Sequence, residues 1–336
     1  MCHLIYTDTF YMKRKWIRWV SWILLTPIIL FVILMVLLYV PPVQNLLRRE
    51  VTAYASKATG MQIQVERIDL RFPLNLLVRG VEVIQQPDTL LSLESLNVRV
   101  QAWPLIKGKV EVDEVTLSRV AVNSADLMEG MKIKGVLGRF FLQSHGVDLS
   151  NETAVVNRTE LSDTHIQLLM TDTTTTPKDT TASAPVNWKV NLHQLKLKNV
   201  SFGMKLPADC MKMAAYIGEA TIDDAKADLK NQFYGLKQFL LSGASASYDT
   251  GEAQPSEGFD ASHIAVRNIR IGLDSLLYEG RNMNAVIREI TMEERSGLSI
   301  TSLTGRLFSN DSIIRIPELK LQTPHSEIDL SAQNYG

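Results

Sequence analysis

From residue 61 to its end, this chain alternates apolar and polar positions, and the alternation carries a recurrent skip. In Ile63-Gln-Val65-Glu-Arg-Ile68-Asp-Leu70-Arg-Phe72, apolar residues take every second place, miss two polar positions once, and resume. The figure returns at Leu91, Leu93, Leu96, Val98 and Val100, and at Val110, Val112, Val115, Leu117, Val120 and Val122. Further copies begin at Trp188, Ala220, Ile264 and Ile314. Alternation predicts half-buried strands with one apolar and one polar face. One extra residue flips every later side chain to the other face unless a bulge absorbs it and bends the strand. Seven copies therefore predict a mostly β chain: a long, curved, repetitive antiparallel-type sheet with an apolar inner face. A bulge, a kink or a tight turn inside each copy explains the skip; Gly and Pro are absent from the skips, which favours bulge or kink.

Upstream the period is different. Val43 to Thr59 places apolar residues at 43, 46, 47, 51, 54 and 58, a helical spacing, with Gly60 where a C-cap glycine belongs. Before it, residues 20–40 form an uncharged, predominantly apolar run with Pro27 a third of the way in. At about 1.5 Å per residue such a helix spans roughly 30 Å, the hydrocarbon thickness of a bilayer. Lys13, Arg14, Lys15 and Arg18 flank its N-terminal side, which puts that end in the cytoplasm. The run is longer than a signal-peptide core and no A-x-A site follows, so an uncleaved anchor is the reading. Met12 makes a more ordinary start than Met1.

The organisation expected is a basic cytoplasmic N-terminus (1–19), a transmembrane helix (20–40), an amphipathic helix (43–59) and two β segments (61–170 and 187–336). A Thr/Pro-rich loop (171–186) separates the β segments; it is too polar to bury a core. Residues 249–258 form a second insertion between strands, and 209–215 and 230–241 are ambiguous, the latter a possible short helix. The last residues still alternate, which predicts an open sheet edge, continued by further chain.

Charge removes one class of function. With 35 basic and 36 acidic residues in 336, there is no electrostatic footprint for nucleic acid. The two cysteines fall on opposite sides of the anchor and do not pair; Cys210 reads as a small buried hydrophobe. The six histidines are scattered, with no metal-ligand spacing, nucleophile elbow or phosphate loop. His193 at a polar skip reads as solvated, as do Asp223-Asp224 and Glu293-Glu294, placed at turns. The sequons at Asn151, Asn157, Asn199 and Asn310 matter only in a glycosylating pathway. No enzyme, cofactor or metal is expected.

What remains is the apolar face: either two such faces meet in a closed sandwich or barrel core, or one stays open as a groove for acyl chains. Alternation alone fits both. The candidate groove lining is Ile63, Val65, Ile68, Leu70, Leu91, Leu93, Leu96, Val98, Val110, Val112, Val115 and Leu117.

Residues 12–123 also resemble a known family. The basic cluster, anchor and 46–60 helix precede Met61-to-Phe72, Val78-Arg-Gly-Val-Glu-Val83, Leu96-to-Gly108 with its Pro104-Leu-Ile-Lys-Gly step, and Val110-to-Leu117. Together they look like the start of a TamB protein, within the AsmA-like group. That resemblance implies an inner-membrane anchor, a periplasmic taco-shaped sheet, phospholipid as cargo between inner and outer membranes, and outer-membrane protein assembly with a TamA-type barrel partner. The family's C-terminal domain, which meets that partner, has no counterpart here, and the Thr-rich insertion departs from the pattern.

Overall fold

A strand needs partners for its backbone amides and carbonyls, and here each alternating segment finds them in its neighbours. In a computed structural model, which describes residues 39–72, 74–85, 87–101, 103–104, 111–124, 130–148, 151–170 and 187–335, these segments build one 15-stranded sheet. Its first half comprises β1 (Gln62–Arg71), β2 (Asn75–Gln85), β3 (Asp88–Val100), β4 (Val112–Asn123), β5 (Met131–Asp148), β6 (Thr153–Met170) and β7 (Lys189–Leu206). Its second half comprises β8 (Met211–Asp228), β9 (Phe233–Leu236), β10 (Gln238–Asp249), β11 (His263–Glu279), β12 (Asn282–Glu294), β13 (Ser299–Ser309), β14 (Ile313–Gln322) and β15 (Glu327–Tyr335). Sheet order follows chain order; β9 and β10 lie end to end between β8 and β11, one strand broken at Lys237.

Among the described residues every pairing but one is antiparallel. β6 and β7 run parallel, with Thr153 beside Lys189 and Leu169 beside Lys205. This corrects the uniformly antiparallel-type expectation. Its reason is the connection: parallel neighbours need a crossover of a dozen or more residues, and 171–188 supplies it where hairpin turns serve elsewhere.

The helix α1 (Pro41–Thr59) ends at Gly60, whose φ of 71° is the left-handed C-cap conformation expected of it. It lies along the edge of β1 and occupies backbone groups that a lone edge strand leaves open. Gln44 Nε2 donates to the Leu70 carbonyl (2.9 Å), Arg48 donates to that of Glu66 (2.7 Å), and Ser56 Oγ accepts from the Ile63 amide (3.1 Å). That edge is covered, as sheet edges require.

The skips are kinks within continuous strands. Arg119, Asp163, Asn199 and Asn268 each take a left-handed φ between 47° and 53°, and Gly80 (59°) and Gly243 (61°) are left-handed too. Register places these residues opposite one another. Glu66 faces Gly80, then come Glu94, Arg119, Gly138, Asp163, Asn199 and Gly218, one per strand from β1 to β8. The pairing skips this one level on every strand from β1 to β8, and the apolar side chains beyond it return to the same face. The polar kink residues bond along the row: Arg119 to Glu94, and Asn199 Nδ2 to Asp163 Oδ1 (2.8 Å).

Three local expectations are corrected. Residues 230–241 form no helix but a turn followed by β9 and the start of β10. Asp223-Asp224 and Glu293-Glu294 lie within strands β8 and β12, not at turns, and Glu294 is buried, its carboxylate accepting backbone amides of Ser296 (2.6 Å) and Ala265 (3.4 Å). Cys210 is exposed: it closes the 3₁₀ turn Pro207–Asp209 at the β7–β8 hairpin with φ 49°, so its side chain leaves the sheet instead of joining a face. His193 is exposed as expected, 3.2 Å from Asp224, and this bond with that of Lys237 holds the Asp224 carboxyl below its ordinary pKa. The anchor, up to residue 38, and the 171–186 loop lie outside the described residues. Among the described residues no helix is long and apolar enough to cross a membrane.

The loop between β10 and β11 is organised by one carboxylate. Asp260 accepts from the Ser256 and Ser262 amides (3.0 and 2.9 Å) and pairs with buried His263 (3.0 Å). Those amide bonds, the Ser256 contact foremost, hold its carboxyl far below the usual carboxylate range. A depressed pKa stabilises fully above the unfolded Asp value of about 3.9 and is lost as pH falls from there through the folded value. D260A is therefore expected to raise protease cleavage within residues 250–262 severalfold at neutral pH. The parent should begin to open only well below pH 4, and limited proteolysis across that range reads both.

Candidate functional site

The cross-strand register gathers the apolar positions into continuous ladders. One runs Ile68, Val78, Leu96, Leu117, Phe140 and Leu161 across β1 to β6. It continues through Leu197, Ala220, Leu241, Ile271, Ile290, Leu303, Leu321 and Ile328 to β15. At about 4.8 Å per strand, this unbroken line is roughly 60 Å long. Parallel ladders flank it: Ile63, Val83, Leu91 and Val122; Val65, Val81, Leu93 and Val120; Leu70, Leu76, Val98 and Val115. Val112 extends the face beside Val100.

Eleven of the twelve candidate lining residues thus share one face; Val110 lies outside the described residues, as do Lys13, Arg14, Lys15 and Arg18. All eleven are half-buried, none buried and none fully exposed. No large apolar side chain among the described residues is fully buried, and the buried apolar set is small: Leu90, Ala154, Leu206, Ala220, Ala244 and Ala285. At the end where β6 and β7 finish, Ile166, Phe202 and Met213 are 38–41 % exposed. A sandwich or barrel core made by two such faces would bury these side chains almost completely. The closed-core arrangement is therefore absent among the described residues, where one apolar face lies open. Monomeric soluble proteins rarely expose contiguous apolar surface beyond a few hundred Å² unless something binds there.

The sequence missed parts of this face for identifiable reasons. β5 contributes Gly135 and β6 contributes Thr159 and Thr164 to the ladders, so neither strand reads as strictly alternating. β2, β10, β12 and β13 also fall outside the seven copies, although Val78, Val81 and Val83 signal β2; β15 is the alternating stretch expected at the end of the chain.

The polar face offers little nucleophile chemistry. His165 Nδ1 lies 2.5 Å from Ser201 Oγ, across the β6–β7 pair, and Gln167 Nε2 lies 2.9 Å from the other ring nitrogen. An amide is a weak orienting group for a general base, and no carboxylate is bonded to His165 among the described residues. No group of three His, Cys, Asp or Glu among the described residues could hold a metal ion.

No family model matches this chain, and no curated protein matches it.

Proposed function

We propose that this chain is a membrane-anchored envelope protein that supports phospholipid transfer between inner and outer membranes along its open apolar face. The observation that carries the reading is the apolar ladder continuing from β1 to β15, most of it half-buried, with no second layer packed over it among the described residues. Each acyl CH₂ exposed to water costs about 0.8 kcal/mol, so an apolar trough about twice as long as a bilayer core is thick lowers the barrier to crossing an aqueous gap. The side chains act only as a solvent for acyl chains: no cofactor or covalent step is needed, and direction comes from elsewhere. The apolar run at 20–40 with its basic flank supports an inner-membrane anchor with the sheet in the periplasm, and the TamB-like pattern over 12–123 supports the same placement.

The test is native mass spectrometry of the full chain released from detergent. The parent should carry one or more phospholipids per chain. The double variant V98D/L117D, placing two carboxylates on adjacent ladders, should lose them while retaining its strand circular dichroism. A folded variant that carries lipid like the parent would falsify the reading.

A further inference from the structure

The polar face carries a cavity of about 1090 Å³ where β5 to β11 end together at one lip of the sheet. Its floor is a row of small residues, Gly203, Ala214, Ser247 and Ala265, one on each of four neighbouring strands, with Gln167 and Lys134 continuing the row across β6 and β5. Small side chains between taller rows make a trench about 20 Å long, at about 4.8 Å per strand. On its inner side stand His165, Ser201 and Tyr216, in register across β6, β7 and β8. On its lip side stand Lys132, Leu169, Lys205, Lys212 and Asp249, in register from β5 to β10.

Charge is unbalanced here although the whole chain is nearly neutral. Six Lys and Arg line the cavity against two carboxylates, Asp249 and Glu294. Glu294 is already satisfied by backbone amides. The two arginines are engaged, Arg267 with Glu293 (3.0 Å) and Arg295 with the His263 carbonyl (3.0 Å). Lys134, Lys205 and Lys212 have no carboxylate within ion-pair distance among the described residues. Lys205 and Lys212 stand directly opposite each other on β7 and β8, and like charges in that position repel. Asp249, beside Lys212, offsets only part of this. An anion between the two ammonium groups would turn the repulsion into attraction.

We propose that this trench is a binding site for a phosphate-bearing ligand, on the face opposite the apolar ladders and distinct from them. The free cations are lysines, compact point charges suited to a phosphate oxyanion, whereas a carboxylate is better held by an arginine fork. Hydroxyls of Ser201, Ser247 and Tyr216 add donors for the remaining oxygens. Among the described residues the trench side of these rows carries only the rings of Tyr216 and His165, the latter bonded to Ser201 and Gln167, too few for a stacked single strand of nucleic acid. Phosphate of this kind reaches the lip either as a lipid headgroup, since Met204 and Met213 hold the apolar face one residue away through the sheet, or as a soluble phosphoester.

The full chain in a neutral detergent is titrated by calorimetry with inorganic phosphate and with glycerophosphoglycerol, the deacylated headgroup of phosphatidylglycerol. Alongside, native mass spectrometry reads total lipid per chain and the ratio of bound phosphatidylglycerol to phosphatidylethanolamine. K134Q/K205Q/K212Q is compared with the parent and with K196Q/K226Q, which removes two polar-face lysines away from the trench. Binding of either phosphate compound that weakens tenfold or more in the triple variant, and not in the control, supports the site. If the lipid ratio also falls towards one while total lipid is unchanged, the source is a headgroup. If the ratio does not move, the source is a soluble phosphoester. No binding by the parent, or equal binding by the triple variant, overturns the proposal whatever the total lipid. Loss of total lipid in V98D/L117D is read separately, so failure of the transfer reading leaves this outcome distinct.

Discussion

Removing eight residues from the connection between β6 and β7, for example 174–181, is expected to unpair the sheet at its centre. Lys189 stands beside Thr153, so Met170 and Lys189 lie at opposite ends of the strand pair. At ~3.3 Å per residue they are about 55 Å apart. The 18 residues between them reach roughly 65 Å when drawn out at ~3.4 Å per link. Whatever course the connection takes, it has little length to spare, and with ten residues left it reaches only about 40 Å. The parallel register then cannot form. A hairpin would reverse β7 and make it parallel to β8, which the short turn at Pro207–Asp209 does not allow. Backbone bonds are worth about 1 kcal/mol each. The amides of Thr153–Met170 and Lys189–Leu206 should therefore lose protection from hydrogen exchange by a hundredfold or more. Replacing the same eight residues with Gly and Ser should leave protection unchanged. Unchanged protection in the shortened chain would mean that the parallel pairing is wrong.

The same connection shows what alternation can and cannot say. A period of two identifies a strand and its faces but carries no direction, so a parallel neighbour looks like an antiparallel one. The length of the 171–186 segment was the available signal, because a hairpin never needs a connection of sixteen residues. The kinks were legible as skips, and their mechanism follows from residue type: Asn199, Asn268, Asp163 and Asp224 are the types that tolerate a left-handed backbone. Glycine does enter the kink row, at Gly80, Gly138, Gly218 and Gly243, on strands or stretches where the apolar pattern was too weak to be read. That the eleven described candidates from Ile63 to Leu117 share one face was legible, since one face of a strand is determined by parity alone. Whether that face is covered is a property of distant chain, and no local pattern reports it. The trench was illegible for a related reason. Lys134, Lys205 and Lys212 read singly as solvated strand positions, and only register across β5, β7 and β8 places them around one cavity.

Gly138→Ala and Gly218→Ala are expected to destabilise the sheet by about 2 kcal/mol or more each, the range of overpacking with no room to relax. A Cβ on Gly138 would stand 2.7 Å from that of Asp163 and 2.9 Å from the Asp163 carbonyl oxygen. On Gly218 it would meet the Gly243 and Ser242 carbonyl oxygens at 2.9 and 3.0 Å. These atoms are backbone, or Cβ carbons fixed to it, so no side-chain rotation removes the clash. Each glycine sits in the kink row opposite a residue of left-handed φ, Asp163 for Gly138 and Asn199 and Gly243 on either side of Gly218. Neighbouring strands approach closely there because all of them bend at one level. Gly203 is the internal control: its nearest neighbour would be 3.9 Å away, so Gly203→Ala should be close to neutral. Urea midpoints of the three variants test the order, and exchange of the flanking amides on β5, β6, β8 and β10 locates the damage. If Gly138→Ala matches Gly203→Ala, the strands do not crowd at the kink. The shared bend would then have to come from the polar residues of the row alone.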